Sequence, residues 1–536
     1  MIPAPDIISS VPSARIDLGV VRQTLVFSFA AGGSTEPFDE AIGAMKLPDS
    51  TWRPAAFSRD LYLGDLVARC LTVTIGGQQH STCARYLARV LGNPPRDRRD
   101  VDSRRDVLTE LVCTPRMRED LERAYLGIVR VRSLLATTRS LAPRVRRMEV
   151  LRAARDAFDL LAGSFEGAAS ALARLRTFGR AVLTSAAYAR LTALLDHDDA
   201  QGTLDLRVRV GADGEVRAME IVAVRENVGN PFHVPALRRF LTRVALFFRG
   251  YRTTGGEVAE RLLSDVFSGI EEPVALLFQI LGDAEVLLGS LGFRDRAMAV
   301  GLEVSLPDLT AGAGVIVEGL FNPLLLASGT VPVPCDLQTD PGAVVLVTGP
   351  NSGGKTRLLQ AVGIAQLFAE CGLFVPARGG RLPRATGLFA LLFEDARSDQ
   401  PEGHLGMELL RIRKLFEQID RGAVVVLDEL CSGTNPSEGE EIARLVLSLL
   451  PELGLQAFVT THLLQFAADL ARSRSIPALE FLQVELDGGE RPTYRFVPGV
   501  ARTSLAQKTA ERLGVTREEL FATIERKKAA ASRASS

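Results

Sequence analysis

Residues 344–356, VVLVTGPNSGGKT, constrain this chain more than any other stretch. The short apolar run 344–348 suits a strand buried on both faces, as in a parallel sheet. A glycine-rich turn follows, and a helical pattern begins at Arg357. Gly349, Gly354, Lys355 and Thr356 complete G-x-x-x-x-G-K-[ST], a phosphate-binding loop. Glycines let backbone N–H groups curl around phosphate oxygens, and the helix N-terminus adds its positive dipole end. The loop residues Gly349, Pro350, Asn351, Ser352, Gly353, Gly354, Lys355 and Thr356 are therefore candidate nucleotide ligands. Lys355 is expected to reach the β- and γ-phosphates, and the Thr356 hydroxyl to ligate Mg²⁺. Lysine usage supports this: only six lysines stand among 63 Lys plus Arg, and between Lys46 and Lys414 the one lysine is Lys355. A compact ammonium fits such a cradle better than a planar guanidinium fork.

About seventy residues past Lys355, residues 423–429 read AVVVLDE. A buried strand ending in two carboxylates complements the loop: Asp428 for the Mg²⁺ shell, Glu429 to orient or deprotonate the attacking water. Residues 458–462, FVTTH, end another strand in His462, whose expected role is sensing the γ-phosphate. The plainer alternative is a structural histidine.

Strand and helix signals alternate through this half: strand 344–348, helix 357–371, apolar run 388–393, helix 405–418, strand 423–427, helix 438–450 and strand 456–460. That order predicts a parallel sheet flanked by helices. Residues 61–199 instead repeat apolar positions at three- and four-residue spacing, which predicts several helices. Within that region Arg123, Arg130, Arg132, Arg139, Arg144, Arg146 and Arg147 occur with no acidic residue between the first and the last. They form either a phosphate-facing surface or a solvated helix face balanced by Glu119, Asp120, Glu122 and Glu149. Residues 204–210 alternate with period two, a Gly-Ala-Asp-Gly turn follows, and 216–224 alternate again, which predicts a β-hairpin.

A formal net charge of -1 argues against a generally basic nucleic-acid binder. Six scattered cysteines form no C-x-x-C pair, so neither a zinc site nor a disulfide framework is expected. No basic-then-apolar leader opens the chain, and no uncharged apolar run reaches the ~18 residues of a membrane span. A cytoplasmic protein without a membrane partner, with the nucleoid as an alternative place within the cell, is the expectation.

The segments TGPNSGGKT, LDELCSGTNPSEG and TTH together resemble the ATPase domain of the MutS family of mismatch-repair-like proteins. Phe321-Asn322-Pro323-Leu324-Leu325 is similar to that family's HPLL-type segment near the adenine, with Asn322 in place of His, so Phe321 and Asn322 join the nucleotide-binding candidates. Gly433-Thr434, Pro436 and Glu438-Gly439 resemble the second, recombination-suppressing type of MutS. The start of the helical lever domain is resembled by residues 81–111, and the hairpin falls where the family inserts its DNA clamp.

The resemblance implies an α/β P-loop (ABC-type) ATPase domain with a parallel-rich sheet, preceded by a mainly α-helical lever domain carrying a small β-hairpin. The expected divisions are an N-terminal segment 1–60, a lever domain 61–305 with its hairpin at about 203–225, an ATPase domain 306–500 and a helical C-terminal segment 501–536 with a frayed tail. It further implies ATP and Mg²⁺ as cofactors, a homodimer through the ATPase domains, and branched or distorted DNA as partner. The alternative is an ATP-switched assembly factor acting on RNA, the ribosome or a protein. Departures from the family pattern are also visible. Residues ahead of the lever are too few for mismatch-reading and connector domains, so recognition of a single mispair is not expected; Phe38-Asp39-Glu40 spells a mismatch-wedge motif, but Phe165 and Phe393 also precede acidic residues, so it is read as chance. No small nuclease-like domain is expected after Glu525. The family places a Ser or Thr before Glu408 to contact ATP on the partner subunit; here Gly403, His404 and Gly406 stand instead, which predicts a weakened cross-subunit contact.

Overall fold

The computed structural model describes residues 2–138, 143–199, 203–210, 216–225, 255–392, 404–430, 435–502 and 517–534. Arg139, the turn 211–214, Gly403 and Gly433-Thr434 lie outside them. The chain forms two compact units, Met1–Lys46 with Asp106–Glu285, and Leu47–Arg105 with Val286–Ser536.

The first unit is helical. Helices Leu18–Ala31, Glu36–Gly43, Pro115–Ala136, Pro143–Gly163, Ala173–Leu183 and Ala186–Asp199 are joined by much of the long helix Gly255–Ala299. Thr203–Val210 pairs antiparallel with Val216–Arg225. Phe29 stacks on Phe267 and Phe38 on Phe278, tying the N-terminal helices to the long one. Residues Leu263–Ala299 are apolar and long enough to cross a membrane, but their most apolar window is fully buried, as in the core helix of a folded domain.

Two members of the arginine run, Arg132 and Arg146, are internal, while Arg123, Arg130 and Arg144 are exposed. Arg146 is buried, and its Nη1 and Nη2 donate to Ser28 O (2.9 Å) and Phe29 O (2.8 Å). Arg147 donates to Ala30 O at 2.9 Å. These carbonyls belong to the last turn of helix Leu18–Ala31, whose negative dipole end favours a cation. Arg132 is buried against Asp39 at 2.7 Å, Arg123 pairs with Asp120, and Arg130 reaches Glu149 at 3.5 Å. For Arg132 and Arg146 the phosphate-facing reading is therefore overturned: the fold itself uses their guanidinium groups. Arg146→Ala is expected to cost about 1–3 kcal/mol, because buried carbonyls lose charged donors. Urea unfolding measures that cost, and the salt dependence of nucleic-acid binding is expected to stay unchanged.

The second unit carries a six-stranded sheet, whose strands are numbered here in chain order: β1 (Val344–Thr348), β2 (Leu388–Leu391), β3 (Val424–Leu427), β4 (Gln456–Thr460), β5 (Leu479–Leu486) and β6 (Pro492–Pro498). Their order is β2-β3-β4-β1-β5-β6, parallel throughout except for the antiparallel β5–β6 pair. Strands β1, β3 and β4 are buried along their whole length, as strands covered on both faces must be. Helices Lys355–Glu370, His404–Gln418, Pro436–Leu449 and Leu464–Ser473 complete the pattern. Asn435 accepts from Ser437 N at 3.3 Å with Pro436 behind it, so that helix begins two residues before the predicted 438. A four-stranded sheet of Asp308–Thr310, Gly379–Pro383, Ile316–Leu320 and Cys335–Gln338 lies ahead of it in the chain, with Gly379–Pro383 returning to it.

Residues 61–105 and 286–305, assigned from sequence to the helical domain, belong to this second unit. The cause is tertiary. Leu61 packs so tightly on Gly363 that a Cβ there would sit 3.0 Å from Leu61 Cδ2. Arg104, fully buried, donates from Nη1 to Cys371 O at 3.1 Å, just past the end of the loop helix.

Candidate nucleotide site

Strand β1 delivers the chain into the phosphate loop at the sheet edge where β3 and β4 also end. The loop's glycines are there for backbone reasons. Gly349 has φ 141°, and a Cβ on it would meet Val484 Cγ2 at 2.6 Å; Gly354 has φ 90° and opens helix Lys355–Glu370. Ser352 adopts φ 66°, an uncommon conformation for a side-chain-bearing residue and typical of a functional loop.

Lys355 is 6% exposed, and its Nζ donates to Gly349 O (3.0 Å) and Pro350 O (3.3 Å). The ammonium thus lies across the loop with donor capacity left for an anion. Burial holds it below the ordinary lysine range, while Glu429 and Asp428 pull the other way. A neutral amine attracts no phosphate, so nucleotide affinity is expected to fall with rising pH before ordinary lysines titrate. Titration of a fluorescent nucleotide across roughly pH 7–10 checks the sign.

Thr356 Oγ1 donates to Asp428 Oδ2 at 2.5 Å. Two oxygens this close can share the shell of one small cation, so the donor set fits Mg²⁺. Among the described residues no three His, Cys, Asp or Glu side chains form a metal cage. The buried Thr460 at the end of β4 donates to Asp428 Oδ1 and accepts from Glu429 N at 2.8 Å. One hydroxyl therefore sets both acidic residues, and Glu429 sits at φ 48° beyond the strand tip.

A cavity of about 730 Å³ opens beside these groups. Asn351, Lys355, Thr356 and Glu429 line its polar end, and Phe321, Leu325, Val331, Val333 and Phe496 an apolar one. Phe321 is buried and Asn322 nearly so. Asn322 acts as a brace: its Oδ1 caps helix Pro323–Ala327 through Leu324 N (2.9 Å), and its Nδ2 donates to Arg357 O and Gln360 Oε1, both at 3.1 Å. His462 is exposed just past β4 and is not in the cavity wall.

Several lining residues escaped the sequence reading. Tyr494 and Phe496 come from β6, and Tyr494 Cδ1 would lie 3.3 Å from a Cβ placed on Gly354. A signal existed: Asp487-Gly488-Gly489 separates two strand-like runs, and the Asp487 carboxylate accepts from Gly489 N and Arg491 N. Thr460 and Arg357 carried no such signal.

Residues 345–527 match the family model of MutS domain V. A protein named Endonuclease MutS2 from Thermomicrobium roseum is 31% identical over 269 residues, 48% of this chain and 33% of the relative. Its namesake in Thermus thermophilus is 35% identical over 177 residues, 33% of this chain and 24% of the relative. A third, from Gemmatimonas aurantiaca, is 35% identical over 243 residues, covering 44% and 28%. The chain matches at most about a third of the length of these relatives. The loop, the Asp428-Glu429 strand tip and these matches together show that residues 345–527 are similar to MutS domain V, on the side of the MutS2-type relatives.

Proposed function

We propose that this chain binds ATP with Mg²⁺ in the loop cavity and hydrolyses it. Hydrolysis switches a homodimeric clamp, joined through its ATPase domains, on branched or distorted DNA in the cytoplasm. The observation that carries the reading is the convergence of Lys355, Thr356 and Glu429 on one cavity, with Asp428 hydrogen-bonded to Thr356 beside it. Loop N–H groups and Lys355 bind the phosphates, while the apolar end around Phe321 and Phe496 takes the base. Thr356 and Asp428 hold Mg²⁺, which neutralises phosphate charge when bound. Glu429 orients the attacking water and accepts its proton. His462 senses the γ-phosphate from the same sheet edge once nucleotide is present.

The test is the ATPase rate with and without duplex, branched and single-stranded DNA, and RNA. Stimulation by branched DNA above linear duplex supports the clamp; no hydrolysis under any condition overturns it. The second reading, an assembly factor acting on RNA, the ribosome or a protein, gains support only for a protein target, because Arg132 and Arg146 are taken up inside the fold and leave less basic surface for any nucleic acid. Stimulation by RNA alone selects the second reading.

Dimerisation adds a prediction. Without the hydroxyl before Glu408, closure of two ATPase domains gains less from ATP, so a slow basal rate with shallow cooperativity is expected. Gly406→Ser is expected to raise turnover by supplying that hydroxyl. An unchanged rate means the contact is made elsewhere or is not needed.

A further inference from the structure

We infer that Arg357 is a second cation of the nucleotide site, holding the α-phosphate at the junction of its polar and apolar ends. The inference rests on the ATP reading above. Arg357 lines the cavity and is itself exposed. It follows Lys355 by two residues, about 200° around the helix, so the two side chains leave the first turn on different sides. Lys355 lies over the loop carbonyls, where β- and γ-phosphates are expected. Arg357 stands instead beside the Phe321–Asn322 segment: its carbonyl accepts from Asn322 Nδ2 at 3.1 Å, and Phe321 walls the apolar end. A nucleotide with its base in that end and its terminal phosphates at Lys355 brings its α-phosphate past Arg357.

Electrostatics agrees. Two cations share the first turn of helix Lys355–Glu370, and that turn carries no acidic residue. Positive charge at a helix N-terminus opposes the dipole, so the arrangement is unfavourable until an anion arrives. The acidic groups facing Lys355 from β3, Asp428 and Glu429, stand on the metal and water side.

The guanidinium is also held in place. Arg357 Nη1 donates to Gln360 Oε1 at 2.7 Å, and Asn322 Nδ2 donates to the same oxygen. Both neighbours are donors, so the Gln360 carbonyl must face them. Gln360 is fully buried, and its Nε2 has no hydrogen-bond partner among the described residues. Leaving a buried amide donor unmet is costly, which marks this orientation as imposed by the Asn322–Arg357 side. Gln360 is thus a positioning residue for Arg357.

The experiment compares dissociation constants for ATP and ADP, by calorimetry on the full chain, in Arg357→Ala, Arg357→Lys and the reference variant Lys355→Ala. Both nucleotides carry the α-phosphate, so Arg357→Ala is expected to weaken them alike, by about tenfold, the worth of one hydrogen bond to a charged group. Arg357→Lys is expected to regain part of the loss. Weakened ATP with unchanged ADP would place Arg357 on the γ-phosphate and overturn the inference. Unchanged affinity for both, with Lys355→Ala weakened, overturns it as well. Unchanged affinity in all three variants removes the nucleotide reading itself, so the two failures are told apart.

Discussion

Glu429→Gln is expected to retain ATP while hydrolysing it roughly 10²–10⁴-fold more slowly, because only the proton acceptor is lost. The backbone of residue 429 is set by the hydrogen bond from its N–H to Thr460 Oγ1, and an amide side chain leaves that bond in place. Lys355→Ala is expected to act at the earlier step. It removes the one ammonium lying across the phosphate loop, so ATP affinity is expected to drop about 100-fold or more. Equilibrium binding together with single-turnover hydrolysis separates the two effects. Equal loss of affinity in both variants would sink the division between a binding lysine and a water-activating glutamate.

The second large effect concerns the helical unit and lies outside the nucleotide site. Arg15→Met is expected to destabilise this unit by about 3–5 kcal/mol. Arg15 is 4% exposed and bridges Asp6 and Asp283, both fully buried, the latter on the long helix Gly255–Ala299. Gln279 on the same helix extends the tie: its Oε1 accepts from Arg15 N at 2.7 Å and from Ile16 N at 3.3 Å, and its Nε2 donates to Ser13 O at 2.9 Å. Removing the guanidinium leaves two buried carboxylates without it, which costs far more than losing a surface pair. Urea titration is expected to shift its first transition to lower denaturant. Adding Asp283→Asn to Arg15→Met is expected to recover part of the loss by discharging one carboxylate. A single variant as stable as the parent would mean the pair is replaceable by packing alone.

The N-terminal residues through which this tie runs carry no motif that announces it, and the reason is physical. Asp6, Arg15 and Asp283 are ordinary charges until the fold places them together, since a charge has no intrinsic partner in the sequence. The arginine run teaches the same lesson in reverse. Its spacing suggested a surface, yet the carbonyls of Ser28 and Phe29, over a hundred residues away, take up Arg146.

What sequence alone determined is what local chemistry determines: the strand–loop–helix of residues 344–370, the apolar run ending in Asp428-Glu429 and the strand–helix alternation around them. Each is encoded within a few residues, by glycines at positive φ, by a lysine at the loop's end or by a run too apolar to face water. Only the tertiary structure decided which groups meet. Because β4 lies between β1 and β3, Thr460 comes to hold both acidic residues. Because β6 pairs with β5 beside the loop strand, Tyr494 and Phe496 wall the cavity. Asn322 turned out to brace the first turn of the loop helix and so to place Arg357 and Gln360. Such contacts join residues distant in the chain, and no local propensity or spacing records them; they exist only once the buried strands have chosen their neighbours.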